Sequence, residues 1–227
     1  MFITEEGGLT GAGYAIFIVA AVAILLIAAF ILGRKENHRY SARKLTFCGM
    51  CLALAFVMSY IRLFKMPWGG SITLCSMFFV VLAAYWYGAG TGIAIGVVYG
   101  ILQFLQDPYF LTILQVCFDY LFAYGALGLA GFFSKKKNGL VKGYIVAVIG
   151  RGVFASLAGY IYWMEYMPEN FPKSLSAIYP IAYNFAYLTV EAIITLVILA
   201  IPAVKKALER VRKYALQDRY AMRETPD

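Results

Sequence analysis

Charge is scarce in this chain: charged residues make up 14% of its 227 positions, and there is a single histidine, His38. That lone imidazole sits in a basic connector, which leaves histidine-based catalysis or a multi-histidine metal site almost without material. No G-x-x-x-x-G-K-[ST] occurs, so the chain does not hydrolyse nucleotide through a P-loop, and any uphill work must come from a partner or an ion. The four cysteines, Cys48, Cys51, Cys75 and Cys117, fall in or beside apolar segments. Cys48 and Cys51 have the C-x-x-C spacing, but nothing around them reads as a soluble redox fold, and packing of small residues is the better account. Gly88-Ala-Gly90-Thr-Gly92 lacks a preceding strand, so it is not a dinucleotide loop. No cofactor is expected.

What the chain has in abundance is apolar surface. At 62% hydrophobic residues it exceeds what a soluble domain of this size can hide, so an all-α integral membrane protein is expected. The net charge of +8 resides in short connectors and the C-terminal tail, which points to lipid headgroups and cytoplasmic loops, with no nucleic-acid partner. Seven apolar runs are expected to span the bilayer: about 13–32, 45–64, 73–87, 89–105, 110–133, 140–163 and 178–204. The first has Glu5 and Glu6 before it and no basic n-region, so it reads as a membrane helix and not a signal peptide. The breaks carry turn chemistry, as in Met66-Pro-Trp-Gly-Gly70, Asp107-Pro108 and Asn138-Gly139; the break at Gly88 requires a tight hairpin. The chain thus divides into an N-terminal span with its basic connector (1–40), a six-helix membrane domain (41–204) and a basic tail (205–227).

Basic residues set the orientation. Arg34 to Lys44 holds five Lys/Arg, Lys135 to Lys142 four, and the segment after Val204 seven. Seven spans with the N-terminus outside put all three groups, and the C-terminus, in the cytoplasm of a multi-pass cell-membrane protein.

Against that geometry one carboxylate stands out. Asp119 lies mid-run, where a charge costs about 2.5–3.5 kcal/mol on insertion scales, so it must be neutralised, hydrogen-bonded or used. Gln115 lies one turn earlier on the same face, and the pair is roughly 8–13 Å below the outer end. Trp163, Tyr179 and Asn184 reach similar depth from other helices. Arg151, Ala155, Gly159 and Trp163 share one face, with small residues leaving room beside the indole. Acid, amide, phenols and indole around a gap suit a flat cationic aromatic molecule. Blander readings stand beside this one: Trp163 as an interfacial belt residue, Asn184 as a helix–helix hydrogen bonder, and Glu191 as a packing residue or partner of Arg151. Gly92, Gly96 and Gly100 form a close-packing seam, and Gly49 with Ala53 a second small-xxx-small pair that could pack internally or dock a partner helix.

Several separated stretches resemble the thiamine-specific substrate-binding (S) component of energy-coupling factor (ECF) transporters. They are Met66-Pro-Trp-Gly-Gly-Ser-Ile-Thr-Leu74, Tyr99-Gly-Ile-Leu-Gln-Phe104 with Asp107-Pro-Tyr109, Gln115 through Tyr120, Gly125-Ala-Leu-Gly-Leu-Ala-Gly131, and Tyr179 with Tyr183-Asn184. The likeness covers about 41–204. It implies a six-helix S-component core, here preceded by one extra N-terminal transmembrane helix, with the vitamin bound near the extracellular side. As partners it implies a transmembrane coupling subunit, which would meet Gly49 and Ala53, and two cytoplasmic ATPases. For the site it implies Asp119 against the thiazolium, with the aromatics Tyr120, Trp163 and Tyr179, the amide Asn184, and also Tyr99 and Gly159. It further implies a Gly69-Gly70-Ser71 turn that closes over the site beneath Trp68. Two positions depart from the family: Ala155 stands where a His is usual, and Trp68 where Gln is more often found.

The expected function is therefore binding of thiamine, without bond breaking, in an ATP-driven importer. The alternatives are an S component for a pyrimidine precursor or thiamine analogue, an ion-coupled carrier, or a membrane-embedded enzyme using Cys48/Cys51 or Asp119 and Glu191.

Overall fold

The computed structural model describes residues 42–67, 69–108, 111–162, 167 and 172–217, with the side chains of 173–175 outside that set. The expected first span at 13–32, Trp68, Tyr109 and Trp163 lie outside the described residues. The described chain is all-helical apart from one small hairpin. Its helices are α1 (Ala42–Tyr60), α2 (Ser76–Tyr87), α3 (Ala89–Gln106), α4 (Ile113–Phe133), α5 (Gly139–Tyr162), α6 (Tyr179–Ala200) and α7 (Pro202–Ala215).

Five of these, α1, α3, α4, α5 and α6, are long and apolar enough to cross a bilayer. The expected span at 73–87 is shortened: only Ser76–Tyr87, 12 residues, is helical. At 1.5 Å per residue that is about 18 Å, well short of a hydrocarbon core. Its side chains are nearly all buried by the surrounding helices. The residues before it form a two-stranded antiparallel hairpin, β1 (Arg62–Lys65) and β2 (Ser71–Thr73), which an all-helical expectation lacked. Gly69 and Gly70, at φ +93° and +81°, supply the left-handed turn that joins the strands.

Local chemistry sets the other breaks. Gly88, at φ +96°, is the single residue that turns the chain between α2 and α3, the tight hairpin expected there. Thr112 caps α4 by accepting the Gln115 N–H at 3.2 Å. Asn138 adopts a left-handed conformation (φ +54°) ahead of α5. Pro180 and Pro202 sit in the first turns of α6 and α7, where a missing N–H costs nothing.

The glycine seam forms as its spacing predicts. A β-carbon at Gly92 would overlap Ala84 of α2, and at Gly96 or Gly100 it would overlap the Tyr124 or Tyr120 carbonyl of α4. Backbone therefore packs against backbone along α3 and α4. α4 is not a uniform helix: it widens to a π-helical turn over Cys117–Phe122 and tightens to 3-10 geometry over Ala126–Phe133. The wide turn contains Asp119 and Tyr120. Such turns are over-represented where a helix has been deformed to place a functional side chain.

Gly49 and Ala53 lie on an exposed face of α1 with Leu45, Met50, Leu54 and Val57. Nothing lies within 4 Å of a β-carbon built at Gly49, so the small-xxx-small pair is not used for packing inside the described chain.

Candidate functional site

At the end of the bundle that carries the hairpin, a cavity of about 450 Å³ runs inward between α3, α4, α5, α6 and the hairpin turn. That volume falls in the range of small-molecule sites. Asp119, Tyr120, Gly159, Tyr179 and Asn184, five of the expected site residues, line it together.

Asp119 faces the cavity from the π-helical turn, and its Oδ2 accepts the Gln115 Nε2–H at 2.6 Å. Gln115, almost wholly buried, is itself held by the Leu111 N–H donating to its Oε1 at 3.2 Å. The carboxylate is thus oriented by an amide that adds no compensating charge. Tyr120 packs edge-on against Phe104, with ring centroids 5.1 Å apart, and its hydroxyl donates to the Asp107 carbonyl at 3.3 Å. Tyr179 and Tyr183 stack in a tilted pair at 5.9 Å on α6.

Asn184 binds protein on both amide hydrogens. Its Nδ2 donates to the Ala155 carbonyl (3.2 Å) and the Pro180 carbonyl (2.9 Å), and its Oδ1 accepts the Tyr187 hydroxyl at 2.9 Å. The helix-to-helix reading of this residue therefore holds in the structure, while its oxygen keeps a second lone pair. Gly159 permits that contact: a β-carbon there would lie 3.0 Å from Pro180 and 3.2 Å from Asn184 Nδ2. Tyr99 does not reach the cavity. It is fully buried one layer back, edge-on to Tyr124 at 5.1 Å, with its hydroxyl donating to the Ala55 carbonyl at 3.4 Å.

Two charged residues deep in the chamber, Arg151 and Glu191, were not among the expected site residues. Arg151 Nη2 donates to the Tyr124 hydroxyl at 2.9 Å, with its guanidinium 4.1 Å from the centre of the Tyr124 ring. An arginine inside a membrane helix is itself a signal of function, and it shares a face with Ala155 and Gly159. Glu191 does not pair with Arg151; its carboxylate is bound instead to the base of the hairpin. Oε2 accepts the Thr73 N–H (3.1 Å) and hydroxyl (2.8 Å), while Oε1 accepts the Ser76 hydroxyl and Met77 N–H, both at 3.3 Å. Spacing along α6 shows that Glu191 lies below Asn184, but only the fold brings Thr73 to it.

The hairpin turn closes the outer side. The Tyr183 hydroxyl donates to the Gly69 carbonyl at 3.0 Å, and a β-carbon at Gly70 would stand 2.7 Å from the Tyr187 ring. Arg62 and Lys65 of β1 reach Asp107, across the mouth, at 2.9 and 3.0 Å. The Lys65 ammonium foremost, and then the Arg62 guanidinium, hold the Asp107 carboxyl below its ordinary range.

A mainly helical membrane body enclosing a chamber of this size, with charged side chains on its wall, defines a membrane protein that binds a small solute. Comparison with known proteins gives the family. The model of the thiamine transporter protein family (Thia_YuaJ) matches residues 45–210, and the chain belongs to that family of transporters, which are not enzymes. It is 25% identical to the thiamine transporter ThiT of Bacillus subtilis over 60% of this chain and 77% of that one. The fold matches the structure of ThiT from Listeria monocytogenes with a TM-score of 0.56 at 21% identity, covering 76% of this chain and 96% of that one.

Proposed function

We propose that this chain is the thiamine-binding membrane subunit of an ECF-type importer. The observation that carries the reading is the charge inside the chamber. Of the charged lining residues, Arg62 and Lys65 pair with Asp107 near the mouth, which leaves one excess positive charge there. Asp119, Glu191 and Arg151 remain within. The Asp119 carboxylate on the cavity wall, among aromatic rings, complements a singly charged thiazolium. Asp119 faces the cationic ring, while Tyr120 and Tyr179 offer aromatic faces or edges to it. Arg151 donates to the acceptor nitrogens of the pyrimidine, and the remaining Asn184 lone pair accepts from its amino group. Trp163 and Trp68 stack and cap in this reading.

The cycle is bind, reorient and release, with the work supplied by a coupling subunit, which meets the Gly49/Ala53 face, and two ATPases. The open Gly49/Ala53 face supports such docking, since it packs against nothing in the described chain. The basic connectors support a cytoplasmic C-terminus, with the chamber opening outward.

Calorimetric titration of purified protein with thiamine tests the proposal. Submicromolar binding that collapses in Asp119→Asn is the expected result; no binding at 100 μM, about −5.5 kcal/mol or weaker, removes thiamine. Ala155, a methyl on the cavity wall where the resemblance places an imidazole, favours a second reading, a related ligand of different bulk. Parallel titrations with the pyrimidine half and the phosphate esters distinguish the two.

A further inference from the structure

The end of the molecule opposite the chamber has a surface that solute binding does not use. α7 leaves α6 through a single extended residue, Ile201, so it begins where a membrane span ends. It is strongly amphipathic. Leu208 and Ala215 face the protein, and the Tyr87 hydroxyl fixes the helix by donating to the Ala215 carbonyl at 3.0 Å. Arg212 reaches the 134–138 connector by donating to the Ser134 carbonyl at 3.2 Å, and its guanidinium lies 4.8 Å from the centre of the Tyr85 ring.

Two other faces of α7 stay open. Along one, Lys205, Lys206, Arg210 and Lys213 are exposed. Along the flank next to the protein, Val211 and Tyr214 are exposed, Tyr214 at 67%. An apolar flank continuous with a cationic face, at the end of a span, is the form of a helix lying in a bilayer interface. The neighbouring elements repeat the pattern: Lys135, Lys136 and Lys137 are exposed beside Phe132, which is 65% exposed. Among the described residues, this end carries eleven Lys/Arg against one acid, Glu209.

We propose that α7 and the 135–137 connector form a binding site for anionic phospholipid headgroups in the leaflet at this end of the molecule. Charge complementarity selects the occupant. A row of exposed ammonium and guanidinium groups at headgroup depth attracts phosphodiester anions, while Tyr214, Val211 and Phe132 give the acyl chains an apolar landing. A zwitterionic headgroup answers only the second of these. The proposal is independent of which solute fills the chamber.

The test uses the full chain, purified in a non-ionic detergent and offered equal amounts of phosphatidylglycerol and phosphatidylcholine, with retained lipid counted by native mass spectrometry. The expected result is a preference for phosphatidylglycerol of about fivefold or more, falling severalfold in the Lys205→Gln/Lys206→Gln/Arg210→Gln/Lys213→Gln variant. Equal retention of the two lipids, or unchanged preference in the variant, overturns the proposal. So does a variant that keeps its lipid but loses a partner protein, because the surface would then be a protein-docking face. Should the variant not purify, the wild-type chain decides: the preference must shrink as salt rises from 50 to 500 mM, and a salt-independent preference overturns the site.

Discussion

Glu191, more than a hundred residues along the chain from Thr73, accepts both the backbone N–H and the hydroxyl of that residue through one carboxylate oxygen. Its other oxygen holds Ser76 and Met77, so α6 grips the junction between β2 and the start of α2. The base of the hairpin and the inner wall of the chamber are therefore one hydrogen-bonded unit.

Removing that grip should be costly. In Glu191→Ala, two buried N–H groups and one hydroxyl lose their acceptor, since the Thr73 and Ser76 hydroxyls still bond each other at 2.6 Å, and each orphan costs about 1–3 kcal/mol unless it finds water. We expect a lower melting temperature in detergent and weaker solute binding, with Glu191→Gln intermediate because it keeps an acceptor oxygen. A Glu191→Ala protein with wild-type melting and affinity would contradict this role.

Asp107 should show up in salt and pH. Its carboxyl is held below the ordinary value of 3.8 by Lys65 and Arg62. A depressed folded value means that the ion pairs contribute fully above pH 3.8 and are lost as the pH falls through the lower folded value. Solute dissociation should thus be unchanged between pH 8 and 5 and accelerate only below about pH 4. The groups are exposed, so the effect is small, of order 0–1 kcal/mol, and high salt should reduce it. Asp107→Asn should match wild type at high salt.

Two glycines should behave oppositely. Gly100→Ala drives a methyl into the Tyr120 carbonyl across the α3–α4 seam, and we expect loss of folded protein on expression and gel filtration. In Gly49→Leu the new β-carbon meets nothing within 4 Å on an exposed face, so folding and solute binding should persist. Under the proposed function, uptake into cells should nevertheless fall, since the partner's helix could no longer approach.

Asp119 and Tyr99 separate lining from support. Asp119→Asn should weaken thiamine at least about a hundredfold with little change in melting, since charge is lost and shape kept; 2.7 kcal/mol corresponds to that ratio. Tyr99→Phe removes only a long hydrogen bond one layer behind the wall, and should shift affinity by less than about threefold while lowering stability by about 0.5–1.5 kcal/mol. A large binding loss in Tyr99→Phe would place that ring closer to the solute than its packing suggests.

Much of the site could be read from residue spacing. The i, i+4 relation of Gln115 and Asp119 became a hydrogen bond, the Arg151–Ala155–Gly159 face became a cavity wall, and the glycine repeat became a seam. What spacing could not give were contacts made by chain reversal. The Glu191–Thr73 clasp and the Asp107 ion pairs join segments far apart in sequence. The hairpin was hidden for a different reason: Leu63 and Phe64 of β1 prolong the apolar run of α1, and Thr73 of β2 adjoins the run of α2, so both short strands blend into expected spans. Asn184 shows the converse, a residue placed at the cavity whose amide hydrogens are already committed to carbonyls.

The seam has a mechanical consequence. Helices locked main chain to main chain cannot slide or part without breaking many close contacts together, so α3 and α4 must travel as a single rigid slab. Whatever admits and expels the solute has to happen across from that slab, where α6 and the glycine turn meet through a few tyrosine hydroxyls and rings that can let go one at a time.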